Sequence, residues 1–231
     1  MMYLCFFWTL IFGTIYCSED QMSPYVAPGD HFLRMVVPAV LVDEIQSEKI
    51  QAAIDVLLQV ARGERGGTEK SVAVGLAAPQ IGIPLRIILV DIGVDIDRRN
   101  LGQLTAYINP EIVSVSKDLV YGREGCFSVD ERVAGVVSRS SVIHIKAYDR
   151  SGNEVYQEFS GMTARIFQHE IDHLDGIRFP DRVGEDGVLH WVEENQYPEY
   201  RKNWQNWPNS CPWSIWQEMK DGIPYSLKDV Y

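Results

Sequence analysis

Basic residues are scarce in this chain: 21 Lys and Arg stand against 32 Asp and Glu, a formal net charge of −11. A surface biased that far toward negative is repelled by phosphate, which argues against nucleic acid or anionic lipid as a main partner. Cysteine is scarce too. Its four copies, Cys5, Cys17, Cys126 and Cys211, are scattered without paired spacing, so no disulfide framework is expected and a reducing compartment is the natural reading. Internal repeats and low-complexity tracts are missing. Charge itself is missing from Met1 to Cys17, an almost wholly apolar run. That run is shorter than the about 20 residues of a membrane span. It lacks the positive start of a secretion signal, a clear cleavage pattern before Ser18, and the Arg-rich look of a transit peptide. Three readings stand: a secretion signal, an anchor, or residues upstream of the true start, with Met22 as an alternative start.

What is present suffices for a real core, with 231 residues of which 46% are hydrophobic and 23% charged. Residues 18–40 read as irregular, broken by Pro24, Pro28, Gly29 and Pro38. Asp43 with Gln46 fits a capping box, and Ile50, Ile54, Leu57, Leu58 and Ala61 make one apolar stripe, so a helix is expected over Asp43–Ala61. A loop follows at Gly63–Gly67. Strands are expected at Leu85–Asp91, Ala106–Ile108 and Ile112–Val115, the last two separated by Pro110. Val142–Tyr148 alternates strongly and turns at Asp149–Gly152 into Glu154–Phe159, a hairpin. Met162–Leu174 reads as a helix stopped near Gly176. The combination predicts an α+β fold, with mixed or antiparallel sheets packed around that helix. Three stretches are expected: the apolar segment 1–22, a catalytic domain over 23–183, and an extension over 184–231. The extension holds five of the six tryptophans and several prolines, and should pack its aromatics onto the domain.

The sharpest chemical signal is His169-Glu170-Ile171-Asp172-His173. On a helix, positions i and i+4 share a face, so both imidazoles reach one metal ion, with Glu170 beside them to take a proton from water. An open catalytic site needs a third protein ligand. His31, His144 and His190 stand in no suggestive setting. Cys126, within Glu124-Gly125-Cys126-Phe127-Ser128, does, since a thiolate suits a borderline metal and small Gly125 permits close backbone approach. A third segment, Val74 to Gly82, is rich in small residues and carries Gln80, able to donate to a developing oxyanion. By itself that segment is no more than a tight turn.

Together these segments resemble the peptide deformylase family, whose motifs read here as Ala73 to Gln80, Glu124 to Ser128 and Gln168 to His173, in the family's order and spacing, over roughly residues 28–182. The resemblance implies hydrolysis of the formyl group from formyl-methionyl peptides of nascent chains. It implies one divalent ion, natively Fe2+ with Zn2+ able to substitute, held by Cys126, His169 and His173. Glu170 would move the proton, and Gln80 with the N–H of Phe127 would hold the oxyanion. The substrate-side set is Val74, Gly75 and Glu124: the first two through their backbone, Glu124 by orienting a ligand. Such a substrate places the protein in the cytoplasm, near the ribosome only transiently, unless residues 1–17 export or anchor it. From Asp181 onward nine acidic and five basic residues rule against an RNA-docking tail. Two departures are visible. Ala73 replaces the motif's first glycine, adding a methyl near the expected groove, and Phe127 replaces leucine. A zinc peptidase and a non-catalytic peptide binder remain as alternatives, to be separated by formate release, peptide cleavage and turnover.

Overall fold

The computed structural model describes residues 23–64, 73–94 and 102–226. The apolar run and residues 65–67 of the expected loop lie outside them. Helix α1 spans Glu48–Ala61 and starts later than Asp43, because Val42–Glu44 closes a separate 3-10 turn and Ser47 then caps α1 by accepting from the Ile50 N–H at 3.4 Å. The stripe Ile50, Ala53, Ile54, Leu57, Val60 and Ala61 is buried, each large aliphatic contributing about 1.5–3 kcal/mol by leaving water.

Nine strands follow in the described residues: β1 (Gly75–Ala77), β2 (Ile87–Asp91), β3 (Leu104–Val115), β4 (Leu119–Glu124), β5 (Val133–Ser140), β6 (Val142–Tyr148), β7 (Glu154–Ser160), β8 (Leu189–Trp191) and β9 (Ser210–Cys211). They form two sheets, ordered β1-β2-β3-β6-β7 and β4-β5-β8-β9. Every ladder among the described residues is antiparallel. Pro110 does not break β3 into two strands. The register against β6 shifts between Ile108 and Glu111, and Asn109 takes a φ of 51°. The proline therefore sits in an irregularity where no ladder bond is needed from it. The Asn109 amide pairs with both backbone groups of Val40, at 2.8 and 2.7 Å, and holds the distortion in place.

Helix α2 (Gly161–Leu174) lies between the sheets. Its apolar face, with Ile166, Phe167, Ile171 and Leu174, shares one core with Ile88, Val90, Tyr107, Ile143 and Ile145. Its polar face meets β5, where the Gln168 amide accepts from the Ser140 N–H at 3.1 Å and donates to the Ser140 carbonyl at 3.0 Å. Gly176, with φ of 72°, ends the helix.

The chain then forms α3 (Phe179–Val183), α4 (Tyr197–Asn203) and α5 (Trp213–Asp221). Residues 184–226 do more than cover the domain. They supply β8 and β9, and β8 pairs directly with β5. Trp191, Ile215, Trp216 and Met219 share a buried core with Val129, Val133 and Phe179. Arg178, fully buried, donates to the carbonyls of Pro28 and Ser128 and lies 4.4 Å over the Trp216 ring. No helix among the described residues is long and apolar enough to cross a membrane.

Candidate metal centre and active site

Helix periodicity brings His169 and His173 to one face of α2, their rings 5.0 Å apart. The turn after β4 carries Cys126 to the same place, its Sγ 3.2 Å from His173 Nε2. One ligand atom from each of the three lies within 4.8 Å of the others. Ligand atoms around a tetrahedral ion held at about 2.0–2.3 Å stand roughly 3.3–3.8 Å apart, so the cluster fits one ion after small adjustment. The neighbouring imidazoles hold the Cys126 thiol well below its usual range against the opposing effect of burial, which favours the thiolate that a metal needs.

Behind His169 stands Glu124. Its Oε2 is 2.9 Å from His169 Nδ1 and accepts from Arg139 at 2.9 Å, while Oε1 accepts from Arg139 at 3.0 Å and Arg165 at 2.7 Å. Burial opposes ionisation of this carboxyl, yet the bonds from His169 and Arg139 keep it ionised to far lower pH than usual. An Nδ1–H held by a carboxylate leaves Nε2 free to face a metal. Glu124 thus stands behind the ring of a candidate ligand and hydrogen-bonds it there. Arg139 also reaches Asp172, which pairs with Arg182. Neither Arg139 nor Arg165 belongs to a motif, and sequence reasoning missed both.

Glu170 is buried and differently placed. Its Oε2 has no hydrogen-bond partner among the described residues. Desolvation, only partly offset by His169 and His173, pushes its carboxyl up to about 7, the range in which a group both takes and gives a proton at neutral pH. The glycine of β1 explains itself here: a Cβ on Gly75 would stand 2.5 Å from Glu170 Oε1 and 2.6 Å from Ile166 Cγ2. Gly125 has no such need within the chain, since a Cβ there would meet only the Val133 carbonyl, at 3.8 Å.

Gln80 sits in the 3-10 turn after β1. Its Oε1 accepts from the Ala77 N–H at 2.7 Å, and its Nε2 donates to Ser128 Oγ at 3.1 Å and to Cys126 Sγ at 3.3 Å. The amide is thus anchored with its donor turned into the site. β1 is the edge of its sheet. The Val74 carbonyl accepts from the Asp91 N–H at 2.8 Å, and the alternation of an antiparallel ladder turns the Gly75 peptide groups to the open side. Ala73, by contrast, points away from any groove. It packs in the core with Val60 and Ala61 and is 6% exposed, because its N–H is held by the Ala61 carbonyl at 2.9 Å. Phe127 is 43% exposed and stacks on Tyr25 at 4.5 Å, an aromatic from the stretch read only as irregular.

The sequence pattern of the polypeptide deformylase family matches residues 24–187. The chain belongs to the peptide deformylase family. Peptide deformylases are metal-dependent hydrolases that release formate from formyl-methionyl chains. A peptide deformylase of Thermomicrobium roseum is 40% identical over 172 residues, covering 74% of this chain and 91% of that protein. The Met-Ala-Ser-bound crystal structure of a class I type b peptide deformylase from Acinetobacter baumannii superposes with a TM-score of 0.61 at 31% identity, covering 71% of this chain and 99% of that one. The peptide deformylase of Thermotoga maritima does so at 0.57 and 32%, covering 68% and 96%.

Proposed function

We propose that this chain deformylates nascent polypeptides through Cys126, His169 and His173 as ligands of one ferrous ion. The reading is carried by one observation: three donor atoms of suitable softness converge beside a buried carboxylate oxygen, Glu170 Oε2, that has no partner among the described residues. When bound, such an ion makes water acidic enough to attack at neutral pH and polarises the formyl carbonyl.

The remaining chemistry belongs to the side chains. Glu170 accepts the proton of the attacking water and passes it to the leaving amine. Gln80 exchanges its contact with Cys126 Sγ for the carbonyl oxygen on which charge develops, while Ser128 keeps the amide oriented. The Phe127 N–H adds a second donor to that oxygen. The open edge at Gly75 pairs with the substrate backbone, extending the sheet by one strand.

Formate release from formyl-Met-Ala-Ser, measured with metal analysis on the same sample, tests this. Turnover should vanish on chelation and return more fully with Fe2+ than with Zn2+. Internal peptide cleavage without formate would mean a zinc peptidase, and tight peptide binding without turnover a non-catalytic binder. Formylated chain starts occur where translation occurs, so we place the protein in the cytoplasm, near the ribosome only transiently. Recovery of the native protein in membranes or outside the cell would overturn that placement.

A further inference from the structure

The short stretch Tyr25–Pro28 touches each segment that carries an oxyanion donor. Tyr25 lays its ring on that of Phe127, with centroids 4.5 Å apart and planes inclined by 12°. Val26 donates its N–H to the Gln80 carbonyl at 3.0 Å. The Pro28 carbonyl accepts from Arg178 Nη1, and the same nitrogen donates to the Ser128 carbonyl at 3.3 Å. Ser128 in turn holds the Gln80 amide, its Oγ accepting from Nε2 at 3.1 Å. One piece of chain thus meets the backbone of Gln80, the ring of Phe127 and, through buried Arg178, the backbone of Ser128.

These contacts differ in what the sequence must supply. Val26 and Pro28 act through main-chain atoms that most residues offer. Tyr25 acts through its side chain, on a residue that is itself 43% exposed. The Phe127 N–H makes no hydrogen bond among the described residues. Its direction is therefore set by the turn around it, and the Tyr25 ring packs on that turn. Burial pushes the Tyr25 hydroxyl up to about 12, with smaller contributions from Cys126 and Glu170, so the ring lies within electrostatic reach of the cluster.

We propose that Tyr25 is a positioning residue for the oxyanion donors: its stack on Phe127 fixes the aim of the Phe127 N–H while Val26 anchors Gln80. The inference rests on the deformylase reading. A misplaced donor weakens the transition state, where charge develops on the oxygen, more than it weakens substrate binding.

The test uses the metal-loaded full chain and formyl-Met-Ala-Ser, with turnover expressed per bound metal. Tyr25→Ala should lower kcat on the order of tenfold, at nearly native KM and metal content. Tyr25→Phe keeps the ring and should stay within roughly twofold of native kcat. Phe127→Ala keeps the peptide N–H and removes the ring through which Tyr25 acts. In that background, adding Tyr25→Ala should change kcat by less than roughly twofold. Should Tyr25→Ala fail to fold, Tyr25→Leu carries the same expectation, since it fills the space without a stacking face. Native kcat per metal in the variant that lacks the ring overturns the proposal, as does a loss confined to KM or to stability. An equal loss in Tyr25→Phe overturns it too, because the hydroxyl and not the stack would then act. So does a tenfold effect that persists in the Phe127→Ala background. Failure of the native protein to release formate instead overturns the deformylase reading and this inference with it.

Discussion

The wall behind His169 and the mouth beside β1 each hold one buried glutamate, and the two could hardly be more differently furnished. Behind the ring, Glu124 has both oxygens engaged by Arg139, Arg165 and His169. At the mouth, Glu170 has one oxygen without a partner among the described residues and a carboxyl pushed up to about 7. Environment, not residue type, sets the two apart: a fully bonded carboxylate stays charged and is suited to fixing geometry, whereas a desolvated one is suited to moving protons.

That contrast breaks in different places under different substitutions. Glu170→Gln should retain the metal and lose turnover by about 10²–10⁴-fold, read as formate release against metal content; a loss under tenfold would remove Glu170 from proton transfer. Glu124→Gln takes one counter-charge from buried Arg139, which keeps Asp172, and one from half-buried Arg165, so denaturant unfolding should show a loss of about 1–3 kcal/mol, and metal affinity should fall about 10–100-fold. Should both quantities stay native, Glu124 has no positioning role. Gly75→Ala drives a methyl into Glu170 and Ile166; we expect about 1–3 kcal/mol of overpacking and roughly tenfold lower kcat with full metal content. Unchanged kcat there would mean that Glu170 yields freely. Ala73→Gly should be mildest, costing about 1 kcal/mol of stability and leaving the preference among substrates alone. A shift in that preference would return Ala73 to the groove.

The helix that carries two of the three candidate ligands was readable because its period is clean. The helix over Met162–Leu174 and the hairpin from Val142 show undiluted periods of 3.6 and 2, and the structure matches them to within a residue. Strands β4 and β5 escaped notice. Gly122 and Gly135 interrupt their alternation for reasons only packing reveals, since a Cβ at Gly135 would stand 2.8 Å from Val183. With those strands unseen, the partners of Glu124 stayed unseen too, because Arg139 reaches it only through the β4–β5 pairing. Pro110 misled in the opposite direction. The rule against proline in a ladder holds, but the Asn109 irregularity satisfies it without ending β3. Tyr25 left no local signal, for its meaning lies in a ring 102 positions later along the chain, Phe127.

Pairing of β8 with β5, and of Arg178 with a carbonyl 150 positions earlier, has a consequence in the order of synthesis. A ribosome delivers this chain from its N-terminus, so Cys126, His169 and His173 all emerge before the tryptophans that complete the core beneath them. Contacts of such long sequence separation form late. A series of chains ending at successive positions should therefore stay inactive through His190 and gain activity only once Trp216 is included. Deformylation of chains in the making is then the task of copies already finished.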